Sequence, residues 1–154
     1  MNNLIMGLSI LTVLYFTFLD KGEFETDIVF NGEAYEHQKM QDSGWVTSHY
    51  YTRAGEDIKS AKGIIHILEF DKKLIRGYWR KPLFNTISQY GLKTIGTDEY
   101  DMAGSFEKSG VNMHSYGTPI NVNGQDNLAF YISNEYTLLS KYEMLSELRK
   151  ISMR

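Results

Sequence analysis

His37, His49, His66 and His114 are the side chains in this chain best suited to proton transfer or metal binding. His66 and Glu69 stand three apart in the run Gly63–Phe70, which reads as a strand. Strand alternation sends two such side chains to opposite faces, so they cannot share a ligand without a bulge. Histidines from separate strands could still assemble a metal site, but no spacing here calls for one. Satisfied core or surface histidines are expected, with no metal and no cofactor. Asp98, Glu99 and Asp101 form a carboxylate cluster before Gly104. Carboxylates so close can exchange protons or hold Ca²⁺, yet the spacing is not that of an EF-hand loop, and a solvated acidic turn is expected. Asn121, Asn123, Gly124, Asp126 and Asn127 resemble a cation loop only superficially, because Asx and Gly residues make turns through their own hydrogen bonds.

Nucleophilic chemistry has equally little to rest on. Cysteine is absent, which removes thiol nucleophiles, thiolate metal sites and disulfides together. The sequence holds no G-x-S-x-G elbow, G-x-G-x-x-G turn or P-loop. A serine hydrolase built from dispersed Ser, His and Asp remains a possible arrangement, because folding can unite distant residues.

One cluster suggests contact rather than catalysis. Lys72, Lys73, Arg76, Arg80 and Lys81 flank Tyr78 and Trp79, five cations within ten residues of a chain whose net charge is −3. Read functionally, the segment would meet anionic lipid head groups or an acidic partner, with Trp79 as interfacial anchor. The plainer reading is an amphipathic helix with a solvated basic face and its Trp in the core. The overall charge gives no support to nucleic-acid binding, which needs a clearly basic surface. Whether a small molecule binds is not legible.

These residues must be positioned by what surrounds them. Leu4 to Leu19 is uncharged over sixteen residues, roughly 24 Å of helix against a ~30 Å hydrocarbon core. The bulky exit Phe16-Thr17-Phe18-Leu19 lacks the small residues a signal peptidase requires. A domain this small could hardly enclose a helix that is apolar all round. An uncleaved anchor over residues 1–22 is therefore expected over a cleaved signal peptide or a core helix. Its lipid-facing residues would be Leu4, Ile5, Leu8, Ile10, Leu11, Val13, Leu14, Phe16, Phe18 and Leu19. Only Lys21 is basic immediately after the run, so the rule that counts cytoplasmic basic residues leaves the terminal amine inside. The rest of the chain then faces the periplasm or cell exterior.

Residues 23–154 read as one globular α+β domain. Aromatic content of 14% suits half-buried sheet surfaces. Strands are expected at Asp27–Phe30, Trp45–Thr52, Gly63–Phe70, Leu92–Ile95, Gly104–Glu107, Val111–Tyr116 and Leu128–Ser133, and Glu33–Lys39 reads as a returning strand or a helix. Asn31-Gly32, Ser109-Gly110 and Asn123-Gly124 supply turns. A helix should follow Asp71 and end or kink at Pro82, with more helical spacing over Leu83–Tyr90. Leu138, Tyr142, Leu145 and Leu148 form an apolar stripe on a terminal helix capped by Ser133 or Asn134. The expected architecture is a mostly antiparallel sheet with its helices packed on one face. Ile65, Ile67, Trp45, Leu138, Tyr142, Leu145 and Leu148 should be buried.

An anchored domain without a chemical signature points to an extracytoplasmic interaction or accessory protein, such as a subunit of an envelope complex, with a protein as its partner. An immunity or inhibitor protein against an envelope-targeted toxin is the alternative within the same class. The small hydrolase is the alternative from another.

Overall fold

A computed structural model describes residues 23–153. The expected anchor, Leu4–Leu19, lies outside the described residues. Among those described, no helix is long and apolar enough to cross a membrane.

Nine strands form one sheet: β1 (Ile28–Phe30), β2 (Glu33–Asp42), β3 (Val46–Arg53), β4 (Gly63–Phe70), β5 (Leu92–Thr94), β6 (Met102–Lys108), β7 (Val111–Val122), β8 (Gln125–Ser133) and β9 (Ser152–Met153). Their order is β5-β6-β7-β8-β4-β3-β2-β1-β9, and every pairing is antiparallel. Among the described residues two helices accompany it, α1 (Arg80–Gln89) and α2 (Lys141–Arg149), with short 3-10 turns at Glu23–Glu25 and Arg76–Tyr78. Three hairpins close through the dipeptides the sequence offers. Asn31-Gly32, Ser109-Gly110 and Asn123-Gly124 each hold φ between 49° and 81° at both positions, as a two-residue turn requires if its twist is to match the strands.

The sheet is strongly curled. Four strand spacings separate β8 from β1, about 19 Å in a flat sheet. The rings of Phe30 on β1 and Tyr131 on β8 nevertheless lie only 5.0 Å apart. The strands therefore bend round into a half-barrel.

Each face carries its own core. Inside the curl, Tyr51, Ile65, Ile67 and Ala129 pack with Phe24 and with Met144, Leu145 and Leu148 of α2. On the outer face Leu68, Phe70, Leu128 and Phe130 pack with Trp79, with Leu83 of α1, and with Tyr90 and Met102. The helices thus cover opposite faces rather than one. The cause is β4: its near-continuous apolar run alternates Ile65 and Ile67 inward with Leu68 and Phe70 outward, so both faces need cover.

Three of the residues expected in the core are outside it. α2 starts at Lys141, where Ser140 accepts from the Glu143 amide and Glu143 reaches back to the Ser140 amide, a complete capping box. The cap is not Ser133 or Asn134. Leu138 consequently falls in the preceding loop and Tyr142 in the exposed first turn, while Trp45 sits in the turn before β3. Ile65, Ile67, Leu145 and Leu148 are buried. Pro82 does not end a helix. It lies in the first turn of α1, where a missing N–H removes no hydrogen bond.

Candidate functional site

β4 runs eight residues from Gly63 to Phe70, about 23 Å, and separates two ends of the molecule with different chemistry.

The Phe70 end carries the basic segment. The Asp71 amide donates to the Trp45 carbonyl at 2.9 Å, which brings the turn before β3 against the segment. Gln125, beside the β7–β8 turn, donates its side-chain amide to the Phe70 carbonyl. Trp79 is 1% exposed, stacked on Phe70 with ring centroids 4.3 Å apart, and donates its indole N–H to the Leu74 carbonyl. It is a core residue and not an interfacial anchor.

The basic residues divide into two kinds. Arg76 pairs with Asp98 at 2.7 Å and approaches Asp126 at 3.9 Å, its guanidinium lying over the Trp79 and Tyr100 rings. Arg80 pairs with Glu99. Burial opposes ionisation of Asp98, but the Tyr100 amide and Arg76 outweigh it and hold the carboxyl below its ordinary range. The acidic turn is solvated but ion-paired. Asp98 and Glu99 are counter-ions of the basic segment, and Asp101 accepts from Thr118 and Arg149. Lys72, Lys73 and Lys81 are exposed and make no ion pair among the described residues. Beside them Trp45, Ile75, Tyr78 and Phe84 remain 60–66% exposed. The Asn121–Asn127 stretch is a turn: Asn121 donates to Asp126 and accepts from the Gly124 amide. Asn127 is buried and accepts from the Phe70 amide.

The Gly63 end holds the mouth of the half-barrel, a cavity of about 150 Å³. Phe30, Tyr35, Tyr116, Tyr131 and Tyr136 contribute to its walls, with Arg53 held at the rim between Glu33 at 2.7 Å and Glu135 at 2.6 Å. Burial, reinforced by Tyr131, raises the Tyr35 phenol far above its ordinary pKa, so it stays protonated. Over this mouth the loop before α2 exposes Tyr136 (88%) and Leu138 (89%), followed by Tyr142. Sequence periodicity hides this feature by assigning Leu138 and Tyr142 to a buried stripe.

Between the two ends lies the only histidine chain among the described residues. His49 is buried, with Nε2 2.9 Å from Glu69 and Nδ1 3.3 Å from Nε2 of His37. Phe24 stacks on it at 5.4 Å, and Tyr51 donates its hydroxyl to the Phe24 carbonyl. The β-bulge between His37 and Lys39 lies beside it. His66 points to the other face, against Tyr50 and Tyr90. The buried Ser115 and Ser133 hydroxyls donate elsewhere, to the Tyr90 and Lys62 carbonyls. Among the described residues no three His, Asp or Glu side chains are grouped to hold a metal ion. Comparison with protein-family models, curated proteins and solved structures finds no match, so the chain's own geometry carries the functional reading.

Proposed function

We propose that this protein is a membrane-anchored, extracytoplasmic interaction subunit that holds a protein partner at the mouth of its half-barrel. The carrying observation is the loop before α2, where Tyr136 and Leu138 leave nearly their whole side chains in water beside a ring of Tyr walls. Aromatic and aliphatic side chains presented around a concavity are the usual anchors of a protein interface. Leu4–Leu19 supplies the tether, and tethering raises the effective concentration at which a weak contact operates.

A photo-crosslinking residue placed at Leu138 in the full chain, irradiated in intact membranes, should give a discrete adduct. The same residue at Gln38, exposed at the β2 bulge midway along the sheet, should give none. Equal labelling at both positions, or no adduct at Leu138, would overturn the interface. The tether is read separately: the chain should resist alkaline carbonate extraction and keep an N-terminus at Met1 or Asn2.

A further inference from the structure

We infer that the Phe70 end of the domain lies flat on an anionic lipid surface, inserting Trp45, Ile75, Tyr78 and Phe84 while Lys72, Lys73 and Lys81 meet the head groups. This rests in part on reading Leu4–Leu19 as an anchor, and three observations support it.

The first is composition of the exposed surface. Four large apolar side chains project into water within one short stretch of the surface, interleaved with lysines. On α1, Lys81 precedes Phe84 by three residues, which places both on one helix face. Aromatic rings favour the interface between head groups and acyl chains, and lysine stems can lie along it while the ammonium reaches phosphate.

The second is where the charge is left over. Arg76 and Arg80 are already neutralised by Asp98 and Glu99. Docking on anions therefore falls to the three lysines that have no partner among the described residues. Being exposed, they can act without desolvating an existing pair.

The third is position. Phe24 stacks on His49, and His49 binds Glu69, two residues before the segment begins at Asp71. Phe24 thus sits on the inner face of the sheet, opposite the face that carries Trp79 and α1, beside the half of β4 that leads to Asp71. From Leu19 to Phe24 the chain can span at most about 17 Å. An anchored run holds that end within reach of the bilayer and leaves the Tyr136–Leu138 mouth, a strand length away, directed outward. An acidic protein could also meet lysines, but it would not by itself explain four exposed large apolar side chains beside them.

The chain contains two tryptophans, and of these Trp45 is exposed and Trp79 buried. Trp45 therefore reports docking. The full-length protein in nanodiscs of phosphatidylcholine with about one-third phosphatidylglycerol should show blue-shifted emission quenched by doxyl-labelled lipid. The lipid-dependent part of the blue shift and the doxyl quenching should vanish in Trp45→Phe, which leaves only the buried Trp79, and should fall in pure phosphatidylcholine and at high salt. Replacing Lys72, Lys73 and Lys81 together by Gln should shift the docked-to-undocked ratio on the order of a hundredfold at low salt. Unquenched Trp45 in both lipids overturns the proposal. Equal quenching in both overturns the anionic assignment. Loss, in the triple variant, of a crosslink from Tyr78 to a protein, with lipid quenching absent throughout, assigns the face to an acidic partner instead. Should the anchor reading itself fail, the chain will not co-elute with nanodiscs of pure phosphatidylcholine. Flotation of the full chain with vesicles of the two compositions then decides between the outcomes, with lysine-dependent binding to anionic vesicles supporting the lipid-docking face and no binding overturning it.

Discussion

Trp79→Ala is expected to lower the free energy of unfolding by about 3–5 kcal/mol, measured by urea or guanidinium denaturation. The indole is stacked face to face on Phe70, lies 5.2 Å from the Tyr100 ring and carries the Arg76 guanidinium. Truncation would empty the largest fully buried side chain of the described residues and leave the Leu74 carbonyl without its indole donor. It would also release the basic segment from the sheet, since Trp79 is the contact by which the segment packs on β4. The Lys72/Lys73/Lys81 replacement should leave the same denaturation curve almost unmoved, because unpaired surface charges contribute little to stability. The two variants therefore separate folding from docking on one segment. A loss under about 1 kcal/mol for Trp79→Ala would mean the ring is not core, and would return it to the surface role the sequence also permits.

Much of the sheet is legible in the sequence because its determinants are local. Asn31-Gly32, Ser109-Gly110 and Asn123-Gly124 all adopt the positive φ values that Asn and Gly tolerate best and that a two-residue hairpin demands. Gly63–Phe70 reads as a central strand because eight residues of mostly apolar character, bounded by turns, fit nothing else as well. Its lack of strict alternation also signals burial on both faces. What it does not say is which helix covers which face, because that depends on the curl of the whole sheet.

The helices are misplaced when periodicity is weighed above caps. Ser140 and Glu143 form a capping box that sequence displays openly, and giving it precedence puts Leu138 outside the helix. Reading Pro82 as a breaker likewise splits Trp79 from Leu83. As a first-turn residue it joins them, and Trp79, Leu83, Ile87 and Tyr90 then form one inward stripe at helical spacing. The ion pairs are not legible in any local sense. Arg76 and Asp98 are 22 residues apart, and only the return of the chain through β5 shows that the basic run and the acidic turn neutralise one another. Three lysines are hidden in that run as its uncompensated part.

Acid should destabilise the protein through His66 by about 3 kcal/mol between pH 6.5 and pH 4. The imidazole is 3% exposed, stacked on Tyr50 at 4.3 Å and bonded through Nδ1 to the Tyr90 hydroxyl at 2.9 Å. Its Nε2 is buried without a partner. Burial first, and the charge of His49 second, push its pKa down to about 3. The sign follows from which state binds the proton. In the unfolded chain the ring protonates below about 6.5. In the folded chain it stays neutral until about 3, so across that window only the unfolded state gains a proton and each unit of falling pH favours unfolding. Asp98, Glu135 and Glu143, all held below the ordinary carboxylate range, add their own losses at lower pH. Those losses are common to wild type and to His66→Phe, and cancel in the difference. The Tyr90 hydroxyl loses its hydrogen-bond partner in that variant, a cost that does not depend on pH because burial keeps the phenol protonated throughout. The stability difference between the two proteins should therefore change steadily from pH 6.5 to pH 4, wild type losing ground as acid is added. A flat difference would mean that His66 is charged in the folded protein or reached by water, and the outer core around Tyr50, Tyr90 and Phe130 would have to be more open than its burial indicates.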